Sequence, residues 1–339
     1  MAAAASRRFG FAAVVASAFL IASALIVRAQ APSGPPAWAY GVPPASAQPA
    51  GPLVPAPVLF DDGSPKHLEG STQAFTLAQL RDGFNVADWY PNDHPEAPAI
   101  VMKGRAPAIR ACGYCHLANG KGRPENAGIS GLPVAYFTQQ IADFKNDARQ
   151  SAETRKTNTR LMTNIAKAMT DDEVKAAAEY FAAIASTKWV RVVEAAAVPK
   201  TRFVGGVFMQ LNGTETEPIG ARIIEVPEDL ERTDLRDPRS GFVAYVPVGS
   251  IKRGEALVTT GGGGRTIACG VCHGSDLKGI GPVPGLAGRS PSYQVRQMYD
   301  MKAGTRKGLW TPLMKAVVAN LTDDDLIAIG AYLASRGPS

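Results

Sequence analysis

The sequence predicts a mainly α-helical protein in which two similar helical domains are joined by a small β-rich connector. Two observations lead to this prediction. Residues 101–186 and 251–339 repeat one another, and each copy ends in an amphipathic stretch with helical spacing. The residues between them, 187–250, contain short runs of β-branched and aromatic residues that are separated by Pro, Gly and Asp, as is typical of strands.

Residues 1–30 have the layout of an export signal. Ser6, Arg7 and Arg8 form a short positive segment, and an apolar run of 17 residues extends from Phe11 to Val27. Small residues follow that run, as a cleavage site requires. An uncleaved membrane anchor is the alternative, because 17 residues are close to the minimum for spanning a bilayer. Both interpretations place the working protein in the periplasm.

Two further segments precede the first copy of the repeat. Residues 31–58 are rich in Pro, Ala and Gly, which favours an extended linker or a surface strap over a packed element. Residues 59–100 form an acidic N-terminal extension with seven acidic residues against two basic ones. Thr76 is predicted to cap a short helix in this extension. The apolar side of that helix comprises Leu77, Leu80 and Phe84.

The repeat is anchored by CGYCH at 112–116 and CGVCH at 269–273. A tyrosine opens an amphipathic helical stretch 24 residues after the first cysteine of each motif. Further along, a threonine followed by acidic residues predicts a capped final helix in each copy. The small residue on the apolar side of each final helix would let another helix approach closely. The matched pairs are Tyr136 and Tyr293, Thr170 and Thr322, and Ala178 and Gly330.

The two CxxCH motifs indicate covalent attachment of haem c. A structural zinc site needs its cysteine pairs about 15–20 residues apart, whereas 153 residues separate these pairs. A redox-active CxxC or a disulfide needs no histidine directly after it. In a haem c site, two thioethers fix the porphyrin and the histidine binds its iron. The sequence therefore predicts two covalently attached haem c groups. The predicted residues are Cys112, Cys115 and His116 for one haem, and Cys269, Cys272 and His273 for the other.

The second axial ligand of each iron is predicted to be methionine. Met162 and Met314 occupy matching positions of the repeat, which the sequence places in loops just before the capped final helices. Methionine is more often core filler than a ligand, and local alternatives without a counterpart exist. Those alternatives are Met169, Met298 and Met301. His67 and His94 are interpreted as solvated or locally bonded, with a distal haem ligand as the alternative.

Each copy resembles a class I cytochrome c domain, and the tandem resembles the dihaem cytochromes of the c-four group. The resemblance rests on the CxxCH motifs, the matched methionines and the final helices, and it covers about half of the chain. It implies that three to four α-helices surround each haem, that histidine and methionine bind its iron, and that the protein transfers electrons. In such domains the ligand histidine donates its second N–H to a proline carbonyl. The candidates are Pro282 or Pro284 in the second copy and Pro124 in the first.

The function predicted from these features is that of an exported dihaem c-type cytochrome. It would transfer single electrons between respiratory or dehydrogenase partners, as a carrier without catalytic residues. One alternative is a dihaem peroxidase-like enzyme, which needs one haem open to peroxide. Another is a permanently docked subunit of a dehydrogenase or oxidase complex, including a complex at the membrane. A thiosulfate dehydrogenase with a cysteine axial ligand is excluded, because the motifs use all four cysteines.

The charge distribution bears on the partners. Formal net charge is +6, and no basic run with interleaved aromatic residues indicates nucleic-acid binding. Basic residues exceed acidic ones in both copies of the repeat, by twelve to eight in 101–186 and by eleven to six in 251–339. An ordinary solvated surface accounts for this excess. The alternative is a redox protein partner that presents an acidic docking surface.

Overall fold

The computed structural model describes residues 1, 34–43, 59 and 61–338. The predicted export signal at 1–30 therefore lies almost entirely outside the described residues. The helices in the described part are α1 Ala37–Tyr40, α2 Leu77–Leu80, α3 Ala99–Met102, α4 Cys112–His116, α5 Val134–Lys145, α6 Thr157–Ala168, α7 Asp171–Ala182, α8 Leu230–Asp234, α9 Ser250–Thr260, α10 Gly270–His273, α11 Pro291–Ala303, α12 Thr311–Val318 and α13 Asp323–Ser335. No helix in these described ranges is long and apolar enough to cross a membrane.

The strands are short, and most of them lie between the two copies. They are β1 Lys66–His67, β2 Ala74–Phe75, β3 Val190–Glu194, β4 Ala197–Pro199, β5 Thr201–Val204, β6 Val207–Gln210, β7 Thr216–Pro218, β8 Ile224–Pro227, β9 Phe242–Val246, β10 Gly279–Ile280 and β11 Val283–Pro284. The mainly helical character and the strands within 187–250 agree with the sequence.

The connector is built around a three-stranded sheet in the order β3-β9-β8. Strand β9 pairs in parallel with β3 and antiparallel with β8. Strands β5 and β6 form a hairpin, and β4 pairs with β7. Buried residues of β3 and β9, such as Val190 and Phe242, share one apolar cluster with Leu326 and Ile329 of the second copy. The connector therefore packs against the second copy and shares its apolar core.

The final helix of each copy begins where the sequence predicts. Thr170 and Thr322 are N-caps whose hydroxyl oxygens accept from the backbone N–H three residues later, at Glu173 and Asp325. The side chain of that third residue in turn accepts from the threonine N–H, which completes a capping box. Acidic residues in the first turn also complement the helix dipole.

The small residue predicted to admit another helix in the second copy does so. A Cβ added to Gly330 of α13 would lie 3.1 Å from the carbonyl oxygen of Pro291, the first residue of α11. On another side of α13, a Cβ on Gly254 of α9 would lie 2.0 Å from the carbonyl oxygen of Ala328. Glycine is therefore required at position 254 for α9 and α13 to touch.

Two expectations for the N-terminal segments need correction. Within the predicted unpacked linker, α1 forms and the ring of Tyr40 is completely buried, because its hydroxyl finds a partner in the second copy. The rest of that segment, 31–33 and 44–58, lies outside the described residues. Thr76 caps the short helix as predicted, and with Gln79 it completes a capping box. The helix ends at Leu80, however, and Phe84 lies beyond it in a turn.

Candidate haem sites

The first candidate site is a cavity that brings all four predicted residues together. Its walls enclose about 1290 Å3 of space, part of it open to solvent. Apolar side chains from α5 and α6 and from the segment before α5 are in its wall, as a porphyrin requires. The predicted residues in the wall are Cys112, Cys115, His116 and Met162. The apolar ones include Ile129, Leu132, Phe137, Ile141 and Ile165.

The imidazole of His116 is held by one hydrogen bond from its Nδ1 to the carbonyl oxygen of Ala127, at 2.8 Å. A carbonyl oxygen only accepts, so Nδ1 carries the proton and Nε2 has a free lone pair for a metal. Burial also lowers the pKa of His116, which favours the neutral, metal-binding form. The expectation that Pro124 accepts this bond is wrong. The acceptor is a backbone atom, so it does not require proline.

Met162 lines the same cavity, but it is in a helix and not in the predicted loop. It lies within α6, and Met169 follows seven residues later as the C-terminal cap of that helix. Residues seven apart lie on the same side of a helix, and both methionines line the cavity. The geometry therefore brings the predicted Met162 to the site without excluding Met169.

The second candidate site repeats the local geometry of the first. His273 is buried, and its Nδ1 donates to the carbonyl oxygen of Pro284 at 2.8 Å, as one of the two predicted proline acceptors. Pro284 follows His273 by eleven residues, just as Ala127 follows His116. Burial lowers the pKa of His273 too.

Met314 is also helical, in α12, which again corrects the predicted loop. Its side chain packs against the same apolar cluster as Cys269. The hydroxyl of Thr266, just before the motif, donates to the carbonyl oxygen of Val317 at 2.8 Å. This bond ties α12, which contains Met314, to the segment just before the motif.

The sulfur chemistry of both sites suits thioether attachment. Burial raises the pKa of Cys112 to about 12 and that of Cys269 to about 11. Buried surroundings therefore disfavour a thiolate at these positions, and a neutral thioether avoids that charge. The four cysteines form no disulfide. The residues present thus fit a covalently attached haem.

A network that sequence reasoning missed joins the two copies. The guanidinium of Arg149 donates to the side-chain oxygens of Gln140 at 2.9 Å and Gln297 at 3.0 Å. The guanidinium of Arg306 donates to the same two oxygens, at 2.9 Å and 3.1 Å. Arg149 and Arg306 are 157 residues apart, as are Gln140 and Gln297, and as are Cys112 and Cys269.

Two backbone hydrogen bonds between the copies are related by the same offset of 157 residues, so the contact has approximate twofold symmetry. The N–H of Gln150 donates to the carbonyl of Thr305 at 2.9 Å, and the N–H of Lys307 donates to the carbonyl of Ala148 at 2.7 Å. The cavity of the first site is completed by the second copy, because Tyr293, Arg296 and Asp300 of α11 are in its wall. The signal for this contact was present in the sequence as matched glutamines and arginines in the repeat.

The segment around α1, residues 34–43, forms hydrogen bonds with residues of both copies. The hydroxyl of Tyr40 donates to the carboxyl of Asp300 at 2.7 Å, and Arg296 donates to the carbonyl of Ala39 at 3.1 Å. Lys156 of the first copy donates to the carbonyl of Tyr40 at 3.0 Å. Burial lowers the pKa of Lys156 to about 7, and the nearby charge of Arg296 adds to this effect. The segment therefore contacts both copies at once.

Among the described residues, neither His67 nor His94 forms a hydrogen bond with His116 or His273. His67 is exposed in β1. The imidazole of His94 lies 3.1 Å from the carboxylate of Asp88, and its Nδ1 lies 2.9 Å from the hydroxyl of Tyr180. The hydrogen bond with Asp88 raises the pKa of His94. The interpretation of His94 as a locally bonded histidine fits these contacts.

Comparison with known proteins finds several relatives, whereas no protein-family model matches the chain. A thiosulfate dehydrogenase electron acceptor of Stutzerimonas stutzeri (strain A1501) is 26% identical over 69% of this chain and 82% of its own length. Cytochrome c-554(548) of Halomonas halodenitrificans is 36% identical over 20% of this chain and 83% of its own length. Cytochrome c4 of Pseudomonas aeruginosa is 41% identical over 22% of this chain and 36% of its own length.

These relatives and the geometry of the motifs define the class: the chain belongs to the cytochrome c family. Within that family it resembles the tandem dihaem cytochromes c4, as the sequence predicts. The names of the relatives agree with an electron-transfer cytochrome that carries haem c.

Proposed function

We propose that this protein is an exported dihaem cytochrome c that accepts single electrons from a periplasmic dehydrogenase and passes them to a second redox protein. One observation carries the proposal. The two motif histidines have the same hydrogen bond to a carbonyl eleven residues later, and a methionine occupies the matching helix of each copy. Equivalent ligand sets at both sites favour two carrier haems over one carrier and one open, reactive haem.

The motif residues and the two methionines would bind the two haems that transfer the electrons. Cys112 and Cys115 would hold one haem, and Cys269 and Cys272 the other, with His116 and Met162 or His273 and Met314 as iron ligands. When bound, such a haem supplies an iron that changes by one electron while keeping both ligands. The hydrogen bond at Nδ1 keeps each imidazole neutral and oriented. The apolar side chains in the wall of the first cavity would limit the contact of the haem with water, which keeps reorganisation small.

The similarity to thiosulfate dehydrogenase electron acceptors supports a dehydrogenase as the electron donor. The excess of basic residues in both copies supports an acidic docking surface on a partner. Such steering weakens with ionic strength, because the Debye length falls from about 30 Å at 0.01 M to about 8 Å at 0.15 M. Electron exchange with an acidic redox protein is therefore expected to slow as salt is added.

The axial ligands can be tested by substitution. In the ferric protein, methionine–iron charge-transfer absorption is expected from both haems. Met162→His should abolish the contribution of the first haem and lower its potential, because histidine favours ferric iron more than methionine does. Met169→Leu is the matched control, since it changes the other methionine on the same side of α6. Loss of the absorption in Met169→Leu with its retention in Met162→His would identify Met169 as the ligand.

Carbon monoxide binding and peroxide turnover distinguish an electron carrier from a peroxidase-like enzyme. With two strong axial ligands on each iron, carbon monoxide is expected to bind the reduced protein slowly or not at all. Peroxide reduction should be negligible compared with electron exchange with a redox partner. Met314→Ala, which opens one iron, provides the positive control for fast binding. Rapid carbon monoxide binding and saturable peroxide turnover by the unmodified protein would refute the proposal.

A further inference from the structure

His94 lies in the acidic N-terminal extension and contacts the final helix of the first copy. Only 4% of its side chain is exposed, and its Nε2 lies 3.1 Å from a carboxylate oxygen of Asp88. Its Nδ1 lies 2.9 Å from the carbonyl oxygen of Pro95 and 2.9 Å from the hydroxyl oxygen of Tyr180 in α7. Both ring nitrogens therefore face oxygen atoms of the protein instead of water.

The donors and acceptors around the ring of His94 determine its charge. The hydroxyl of Tyr180 donates its only proton to the carbonyl oxygen of Ala118, at 2.8 Å, so towards Nδ1 it can only accept. The carbonyl of Pro95 also only accepts, so Nδ1 carries a proton. A carboxylate likewise has no proton to donate, so Nε2 must carry one as well. The contacts of His94 are thus complete only when the imidazole is doubly protonated and positive.

The other groups around His94 keep their charge near neutral pH. Those that face it are Asp88, Asp93 and Tyr180, and the basic groups beside Asp93 are Arg239 and Lys121. The hydrogen bond with Arg239 holds the pKa of Asp93 below its usual range, so Asp93 stays ionised. Burial raises the pKa of Tyr180, so its phenol stays protonated. Among these groups, His94 is the one whose ordinary pKa, about 6.5, lies near neutrality.

The segment around His94, residues 88–95, also contacts the connector. The indole N–H of Trp89 donates to the carbonyl oxygen of Leu235 at 2.7 Å. The guanidinium of Arg239 donates to both carboxylate oxygens of Asp93, at 2.8 Å each. The segment therefore links the connector loop, residues 235–239, to the first copy of the repeat through His94.

The connector loop covers the first CxxCH motif. It places the guanidinium of Arg236 over the ring of Tyr114, 4.8 Å from its centre, and Arg236 also donates to the carbonyl of Tyr114. Lys121 of the first copy donates to the carbonyl of Pro238 in the same loop, at 2.5 Å. Val271, the residue of the second motif that corresponds to Tyr114, is 71% exposed. The first motif is thus covered at a position where the second is open to solvent.

We propose that residues 88–95 form a pH-sensitive clasp, in which the doubly protonated ring of His94 holds the connector loop over the first motif. When Nε2 loses its proton, its lone pair faces the carboxylate of Asp88 across 3.1 Å with little access to water. That repulsion disfavours the closed contact, so the clasp and the connector loop separate from the first copy and Tyr114 becomes accessible. The inference goes beyond the proposed function, because it concerns access to one motif and not the haem ligands.

The clasp is expected to be closed in acid and to open in alkali. The hydrogen bond with Asp88 raises the pKa of His94 in the folded protein above the ordinary value of about 6.5. A group whose pKa is raised by folding stabilises the folded contact fully below its ordinary pKa. This stabilisation is lost as the pH rises through the raised pKa.

Hydrogen exchange of the reduced, haem-loaded protein tests the clasp. Asp88→Asn keeps the size of the side chain and removes the charge that favours the imidazolium. At about pH 6, the clasp and the connector loop should exchange about tenfold faster in this variant than in the unmodified protein, the effect of losing a hydrogen bond with a charged group. At about pH 9 the difference should disappear, because His94 is then neutral in both proteins. Comparison at one pH removes the effect of pH on the intrinsic exchange rate.

Asp82→Asn is the matched control. Asp82 is an exposed carboxylate of the same extension, and its Oδ1 accepts a backbone N–H two residues later, as the Oδ1 of Asp88 does. The control should leave exchange in both segments unchanged at either pH. Equal effects of the two variants, or an effect of Asp88→Asn that persists at about pH 9, would overturn the proposal. Faster exchange in the clasp with no change in the connector loop would also overturn it, because the cover would then not depend on His94.

The titration of His94 is measured directly by NMR, from the ring Hε1 signal that His94→Gln removes. In the unmodified reduced protein, the midpoint should lie above about 6.5, and Asp88→Asn should lower it. A midpoint at or below about 6.5 in the unmodified protein, or no change in Asp88→Asn, would refute the clasp. Neither readout depends on electron transfer, so failure of the clasp would leave the proposed function intact.

Discussion

Replacing Cys269 and Cys272 together by alanine is expected to leave one covalent haem per chain instead of two. Each motif supplies its own pair of thioethers, and the two motifs lie in different copies of the repeat. The variant Cys112→Ala/Cys115→Ala should show the same loss. Haem is counted on the denatured, washed protein, where only covalently attached groups remain.

A substitution away from both motifs provides the control. His67→Ala changes an exposed histidine in β1 and should leave two covalent haems. Retention of both haems in either double cysteine variant would contradict the assignment of the sites. So would complete loss of haem from a variant that still folds, because it would mean that one motif carries all of the attachment.

Replacing Tyr40 by alanine is expected to destabilise the folded protein by about 3–5 kcal/mol, the range found when a large buried aromatic residue is removed. The side chain is completely buried, and its hydroxyl donates to Asp300. Burial, with the neighbouring Asp300 carboxyl as a further cause, raises the pKa of Tyr40 well above its usual value. The phenol therefore stays protonated and can donate at any ordinary pH.

A pair of phenylalanine variants separates the hydrogen bond from the packing. Tyr40→Phe removes only the hydroxyl and should cost about 1–3 kcal/mol. Tyr245→Phe, at a half-buried position of β9, should change stability by less than about 0.5 kcal/mol. The free energy of unfolding is measured by denaturant titration of the haem-loaded protein. Equal effects of the two phenylalanine variants would show that the Tyr40 hydroxyl does not hold the α1 segment in place.

Local features of the fold were predictable from the sequence. The final helices begin at their threonine caps, because capping depends on residues only three apart. Strands appear in the connector where β-branched runs alternate with turn residues. The CxxCH motifs likewise carry their chemistry in five consecutive residues, so the candidate cysteines and histidines need no tertiary information.

Long-range contacts account for what the sequence did not predict. Ala127 accepts from His116 through its backbone, so its side chain carries no signal. Tyr40 looked like part of a linker because its partner Asp300 is 260 residues away. The cover formed by Arg236 over Tyr114 joins residues 122 apart. Met162 and Met314 were assigned to loops because each lies just before a capped final helix, whereas helices α6 and α12 include both positions.

The contact between the two copies has equivalent residues on both sides. Arg149 and Gln140 of the first copy correspond to Arg306 and Gln297 of the second. In an interface with twofold symmetry, the same patch serves on both sides, so it is complementary to itself. A molecule that had only one copy with this patch would therefore be able to pair with an identical molecule. Within one chain, the two copies thus meet as the two subunits of a symmetric homodimer would, with the connector as their covalent link.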